Sequence, residues 1–94
     1  MAKAIWQGVV IAESNNTKEI EGNLYFPPQS LKQEYFQSSK TTSVCSWKGT
    51  AHYYDIKVGD EINHDAAWTY RQPKDAARHI AEYVAFWRGV EVKK

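Results

Sequence analysis

The chain has 94 residues, enough for one domain over residues 1–94 with a thin stability margin, because a chain of this size buries only about 60–65% of the surface its unfolded form exposes. Twelve Lys and Arg against eleven Asp and Glu give a net charge of +1, which excludes the electrostatic footprint of a nucleic-acid partner. A single cysteine excludes an internal disulfide, while four Trp, six Tyr and three Phe supply the large apolar areas that a small core depends on. No apolar run approaches the ~20 residues needed to span a bilayer, so no membrane partner is expected. The opening Met1–Gln7 lacks the apolar centre of a signal peptide, and a secreted domain this small would usually carry more cysteines. A cytoplasmic protein is the expectation.

Lys3 to Ala12 has strand composition, with Gly8 expected to mark a bulge or tight bend. Glu13-Ser14-Asn15-Asn16 is a turn cluster, and Thr17–Glu21 reads as the return strand of a hairpin. Gly22-Asn23 signals a second turn before Leu24-Tyr25-Phe26, which Pro27-Pro28 stops. Ser30 is placed to cap a short helix whose apolar face is Leu31, Tyr35 and Phe36. Strand character resumes over Thr41–Trp47 and Thr50–Val58, Gly59-Asp60 turns the chain, and Glu61–Tyr70 is the partner strand. Asp75 to Trp87 predicts a helix: Pro73 and Asp75 stand at its start, and Ala76, Ala77, Ile80, Ala81, Val84 and Trp87 recur at helical spacing. Trp87 is then a core residue that closes the apolar face. Gly89 stops the helix, and Val90-Glu91-Val92 alternates like a closing strand. The plan is a β-rich α+β domain, a bent antiparallel sheet or open barrel with one C-terminal helix packed on it.

Chemistry-bearing residues concentrate in Cys45-Ser46-Trp47-Lys48-Gly49-Thr50-Ala51-His52-Tyr53-Tyr54. This segment, with Glu21-Gly22-Asn23, Tyr25-Phe26-Pro27-Pro28, Asp65-Ala66-Ala67-Trp68, Tyr70, Val84-Ala85-Phe86-Trp87 and Gly89-Val90, resembles the domain of unknown function 427 family, widespread in bacteria and present in fungi. The match runs through nearly the whole chain. It departs at Ser46, where the family usually has Pro between Cys and Trp. The resemblance implies a small sheet architecture of the Mss4-like or β-tent type. Some members carry a nucleotidyltransferase label. Such enzymes hold Mg²⁺ and a triphosphate with a Gly-Ser pair and paired carboxylates, whereas Gly59-Asp60-Glu61 sits in a hairpin turn with no Gly-Ser before it. The zinc-binding Cys pairs of several Mss4-like proteins have no counterpart in a chain with one cysteine.

As a nucleophile, Cys45 would need a base, and His52 is the obvious one. The two differ by an odd number along a strand and face opposite sides unless a bulge at Gly49 corrects the parity, so a buried, inert Cys45 is expected. On a regular strand Cys45, Trp47, Gly49, Ala51 and Tyr53 share a face, a ligand slot or tight core packing. Lys48 is the one charge in this apolar segment and suits a carboxylate or phosphate. Glu21 either pairs with Lys48 or caps local backbone donors. His64-Asp65 are strand neighbours that point apart, and His79 and Tyr83 would stack on the helix. His52, His64 and His79 lack metal-ligand spacing, so neither metal nor cofactor is expected. Trp68 and Tyr70 share a face, as do Tyr54 and Ile56, and pairing of the two strands would set their aromatics side by side.

The first functional expectation is a domain binding a small anionic or polar ligand in an aromatic pocket lined by Tyr25, Trp47, Lys48, Tyr53, Trp68 and Tyr70, with Glu21 as the polar counterweight. The second is a protein-interaction module without chemistry, its aromatics forming an interface, a second copy in a homodimer among the partners. The third is an enzyme acting on a nucleotide or sugar-phosphate, with Lys48 and Glu21 as charge partners. A concave aromatic pocket holding Lys48 separates the first and third from the second, which needs a flat aromatic patch.

Overall fold

Three two-residue turns with both central residues at positive φ set the strand plan, the geometry whose twist matches that of antiparallel strands. They are Gln7-Gly8 (φ 51° and 73°), Glu21-Gly22 (53° and 81°) and Arg88-Gly89 (54° and 86°). The computed structural model describes residues 1–94. Gln7-Gly8 joins β1 (Ala2–Trp6) to β2 (Val9–Ser14), so Gly8 turns the chain and is not a bulge within one long strand. The expected hairpin between that strand and Thr17–Glu21 is absent. Instead β3 (Lys18–Ile20) pairs with β4 (Asn23–Tyr25) across Glu21-Gly22.

The main sheet is an antiparallel meander of β5 (Phe36–Cys45), β6 (Gly49–Val58), β7 (Glu61–Thr69) and β8 (Val84–Phe86). The expected strand Thr41–Trp47 is shifted, beginning at Phe36 and ending at Cys45. The expected helix from Ser30 is two single 3₁₀ turns, Pro28–Ser30 and Gln33–Tyr35. The Ser30 hydroxyl donates to the Pro27 carbonyl at 2.6 Å and caps no helix. β6 and β7 meet at Gly59-Asp60 as the sequence predicts. β9 (Glu91–Lys93) closes a second sheet against β1, in the order β2-β1-β9.

The C-terminal helix expected over Asp75–Trp87 does not form. Asp75–Ile80 is a 3₁₀ segment broken at Ala77 (φ −118°, ψ 15°), and Glu82 then takes a left-handed φ of 66°. Val84-Ala85-Phe86 becomes β8, wholly buried and paired to β7 through Ala67↔Phe86, Trp68↔Ala85 and Thr69↔Val84. Periodicity misleads here because a short apolar run between two turns fits a buried strand as well as a helix. β8 also bonds on its other edge, where Phe26 and Val84 exchange two backbone hydrogen bonds of 2.8 Å. A helix would leave both edges unmet.

The main sheet carries a core on each face. One side packs Ile56, Ala67, Val84 and Phe86 against Ala4, Ile11 and Ala12 of the second sheet. The other gathers Tyr25, Ala51, Tyr70, Ala77, Ile80 and Ala85. Bulges interrupt β5 between Ser38 and Thr42, and β7 opposite Tyr54–Ile56. Asp65, at φ 54°, ties the two together: its carboxylate accepts from the Ser39 and Thr41 hydroxyls at 2.6 and 2.8 Å. Those two bonds hold its carboxyl below the usual carboxylate range.

Candidate functional site

Lys48 occupies the loop Ser46-Trp47-Lys48 between β5 and β6, not the middle of a strand. The loop is pinned from outside. The Lys74 amide donates to the Lys48 carbonyl at 2.9 Å, and the Lys74 ammonium donates to the Ser46 carbonyl at 2.7 Å. Gly49 stands at φ 113° directly against the backbone of Pro73 and Lys74, a conformation that side-chain-bearing residues rarely adopt. So held, Lys48 points inward and is only 6% exposed.

A buried ammonium needs an anion and hydrogen bonds. Lys48 Nζ donates to Glu21 Oε1 at 2.5 Å and lies 5.3 Å and 5.5 Å from the ring centres of Trp47 and Tyr70. Glu21 pairs and does not cap. It reaches Lys48 from the tip of the β3–β4 turn, where its backbone is left-handed and its side chain remains 55% exposed. Burial acts against the Lys48 charge, but the hydrogen bond it donates to Glu21 and the nearby Tyr25 and Tyr70 phenols outweigh it and raise its pKa. The same hydrogen bond holds Glu21 below its usual range. Burial, opposed by Lys48, pushes Tyr70 up to about 12. All three shifts move away from neutrality. The site therefore presents a permanent cation and a neutral phenol, an arrangement suited to electrostatic recognition, whereas general acid–base work calls for a group near pH 7.

The remaining residues singled out in the sequence adjoin this pair. Trp68 Nε1 donates to the Tyr25 hydroxyl at 3.2 Å, and the two rings meet edge to face at 6.3 Å. Tyr53 stands opposite Trp68 in the β6–β7 register, and its hydroxyl is 2.9 Å from Ser43 Oγ. The structure thus brings Glu21, Tyr25, Trp47, Lys48, Tyr53, Trp68 and Tyr70 around one neighbourhood, without enclosing a hollow. The four surface depressions are lined by other residues. Cys45 is half-buried beside this aromatic cluster, where burial was expected. His52 is on the opposite face of β6, beside Thr50, Arg71 and Gln72, so it cannot serve Cys45 as a base.

Trp87 is the residue that helical reasoning misplaced. It is 43% exposed just past β8, meets Trp68 edge to face at 5.7 Å and the tilted ring of Tyr53 at 6.3 Å, and donates from Nε1 to the Asp65 carbonyl at 2.5 Å. Arg88 covers its outer side at 4.6 Å from the ring centre. His79 and Tyr83 do not stack on a helix. Lys18 joins them, donating to the His79 carbonyl at 2.7 Å and lying 4.7 Å over the Tyr83 ring. No three His, Cys, Asp or Glu side chains converge in a way that could hold a metal ion, and no helix is long and apolar enough to cross a membrane.

The molecule is thus a small strand-rich domain of three antiparallel sheets with a buried lysine in an aromatic surround. The chain belongs to the family described as domain of unknown function (DUF427), whose family model matches residues 1–94. Comparison with curated proteins gives no match.

Proposed function

We propose that the protein binds a small ligand through an anionic group at Lys48, with Glu21 as a displaceable internal counter-ion. The observation that carries this is the asymmetry of the pair: Lys48 is fixed and 6% exposed, whereas the Glu21 side chain is 55% exposed on a two-residue turn. A carboxylate or phosphate arriving at Lys48 would replace one charge-assisted bond with another while Glu21 swings into water, and Trp47 and Tyr70 would flank it. The site is filled as it stands, so opening is a movement of the β3–β4 turn. Titrating the protein with small carboxylates and phosphate esters at constant ionic strength, read by tryptophan fluorescence, tests the proposal. Saturable quenching that Lys48→Met abolishes is the expected outcome. A response to ionic strength alone refutes it.

The exposed Trp47 and Trp87, 37% and 43% accessible, favour a second reading in which this aromatic face docks on a protein, a second copy included. Loss of a complex on Trp87→Ala with ligand retention intact would select it. The reading also carries a cytoplasmic location, supported by the lone cysteine, and an Mss4-like or β-tent kinship, supported by the strand-rich plan and the family resemblance.

A further inference from the structure

The face of the main sheet that bears His52, Tyr54 and Thr69 holds a second polar site, remote in character from the lysine cage. Two depressions meet there and share Arg71. A cavity of about 110 Å³ is lined by Gln33, Tyr54, Thr69, Arg71 and Glu82, with an apolar wall of Pro28, Leu31 and Val84. Beside it, an open depression of about 340 Å³ is lined by Thr50, His52, Arg71 and Gln72.

Three observations mark this as a place for a ligand. First, Thr69 is 1% exposed, and its hydroxyl is the one buried side-chain polar atom in the protein with no hydrogen-bond partner. Such a group carries a desolvation cost until something bonds to it. Second, Arg71 and Glu82 line the same cavity without approaching within salt-bridge distance of each other, and neither has another ion-pair partner. Third, Glu82 is held at φ 66° by the bond its amide donates to the Tyr70 carbonyl at 2.9 Å. A non-glycine residue rarely adopts that conformation, and here it accompanies a Glu82 that lines the cavity.

We propose that this cavity takes a small zwitterion of the α-amino-acid class. The planar guanidinium of Arg71 suits a carboxylate in a two-point contact. The Glu82 carboxylate suits an ammonium, which a simple anion lacks. Gln33, Tyr54 and Thr69 complete the polar lining. The volume admits several water-sized groups, enough for the charged head, and the adjoining depression under His52 receives the side chain. The site is independent of Lys48, and of the reading given to it.

Ligand-observed NMR and calorimetry on the wild-type protein test this, with glycine, serine and glutamate as probes and acetate, methylammonium and inorganic phosphate as controls. At least one amino acid should bind saturably, and in Lys48→Met, which lacks the anion site proposed above, more tightly than every control. Arg71→Gln and Glu82→Gln, both surface changes, should each weaken it about tenfold or more, as losing a charge-assisted bond does. Thr69→Val should weaken it while leaving the melting temperature equal or higher, since the unmet hydroxyl is gone. Lys48→Met should bind the amino acid as tightly as wild type does, while losing the anions. Equal binding of acetate or phosphate to Lys48→Met, binding unchanged in Glu82→Gln, or no binding of any probe would each overturn the proposal, the last leaving Thr69 as the seat of a water molecule only.

Discussion

Lys48 and Glu21 are unequal partners, and single substitutions expose the inequality. Lys48→Met removes a buried charge and leaves Glu21 free to hydrate, so stability should change by under about 1 kcal/mol in chemical denaturation. Glu21→Ala leaves the ammonium buried without its anion and should be the more destabilising of the two. The reverse order would show that the Lys48 site is wet. The pH profile follows from the same groups. Tyr70, raised from 10.0 to about 12, and Lys48, raised from 10.5, hold their protons more tightly in the folded state, so their contribution is complete below about pH 10 and is lost as pH rises through that range. Glu21, lowered from 4.5, stabilises above that value and ceases to do so as pH falls below it. Melting temperature should therefore hold level between about pH 5 and 10 and fall on both sides, with the tyrosinate absorbance of one phenol appearing only on unfolding. A level profile from pH 10 to 12 would contradict these assignments.

At the scale of elements, turns were legible where glycine marked them and misjudged where two readings competed. Gly59-Asp60 and Gly22-Asn23 read as turns from their residue types, and both glycines take positive φ in the structure. Gly8 reads as a bulge or a tight bend within one strand because Val9, Val10 and Ile11 prolong the apolar run, and only pairing of β1 with β2 shows the full reversal. Val84-Ala85-Phe86 satisfies both periods, and its fate is decided by the unpaired edge of β7, a tertiary partner absent from local sequence. Two substitutions check the assignment. Phe86→Ala removes a buried ring packed on Phe26 at 5.5 Å and should cost about 3–5 kcal/mol, enough to unfold most of the protein. Trp87→Ala, on the accessible side, should cost only about 1–2 kcal/mol. The opposite ranking would restore the helix. Gly22→Ala meets no atom within 4 Å, so its cost of roughly 1 kcal/mol would be purely conformational, and it should loosen the turn that carries Glu21.

At the scale of the molecule, the sequence sufficed for a strand-rich domain, and the resemblance of its separated motifs pointed to the family that the whole of residues 1–94 matches. The aromatic cluster was legible because its members fall in a few segments, but the cross-strand neighbour of Trp68 was not: the bulge in β7 sets Tyr53 opposite it and Tyr54 opposite Ala67. That Lys48 turns inward was not, because it depends on Lys74 clasping the loop from a distant segment. The polar cavity at Arg71 was also invisible, since Gln33, Tyr54, Thr69 and Glu82 are scattered and each is ordinary alone. A far-ultraviolet circular dichroism spectrum should show strand and no α-helical double minimum. The central claim is that Lys48 exists to meet an anion from outside. Native mass spectrometry of gently purified wild type and Lys48→Met tests it most directly. The expected result is a small-molecule mass adduct on the wild type that is missing from a folded Lys48→Met, and equal spectra for the two proteins would contradict it.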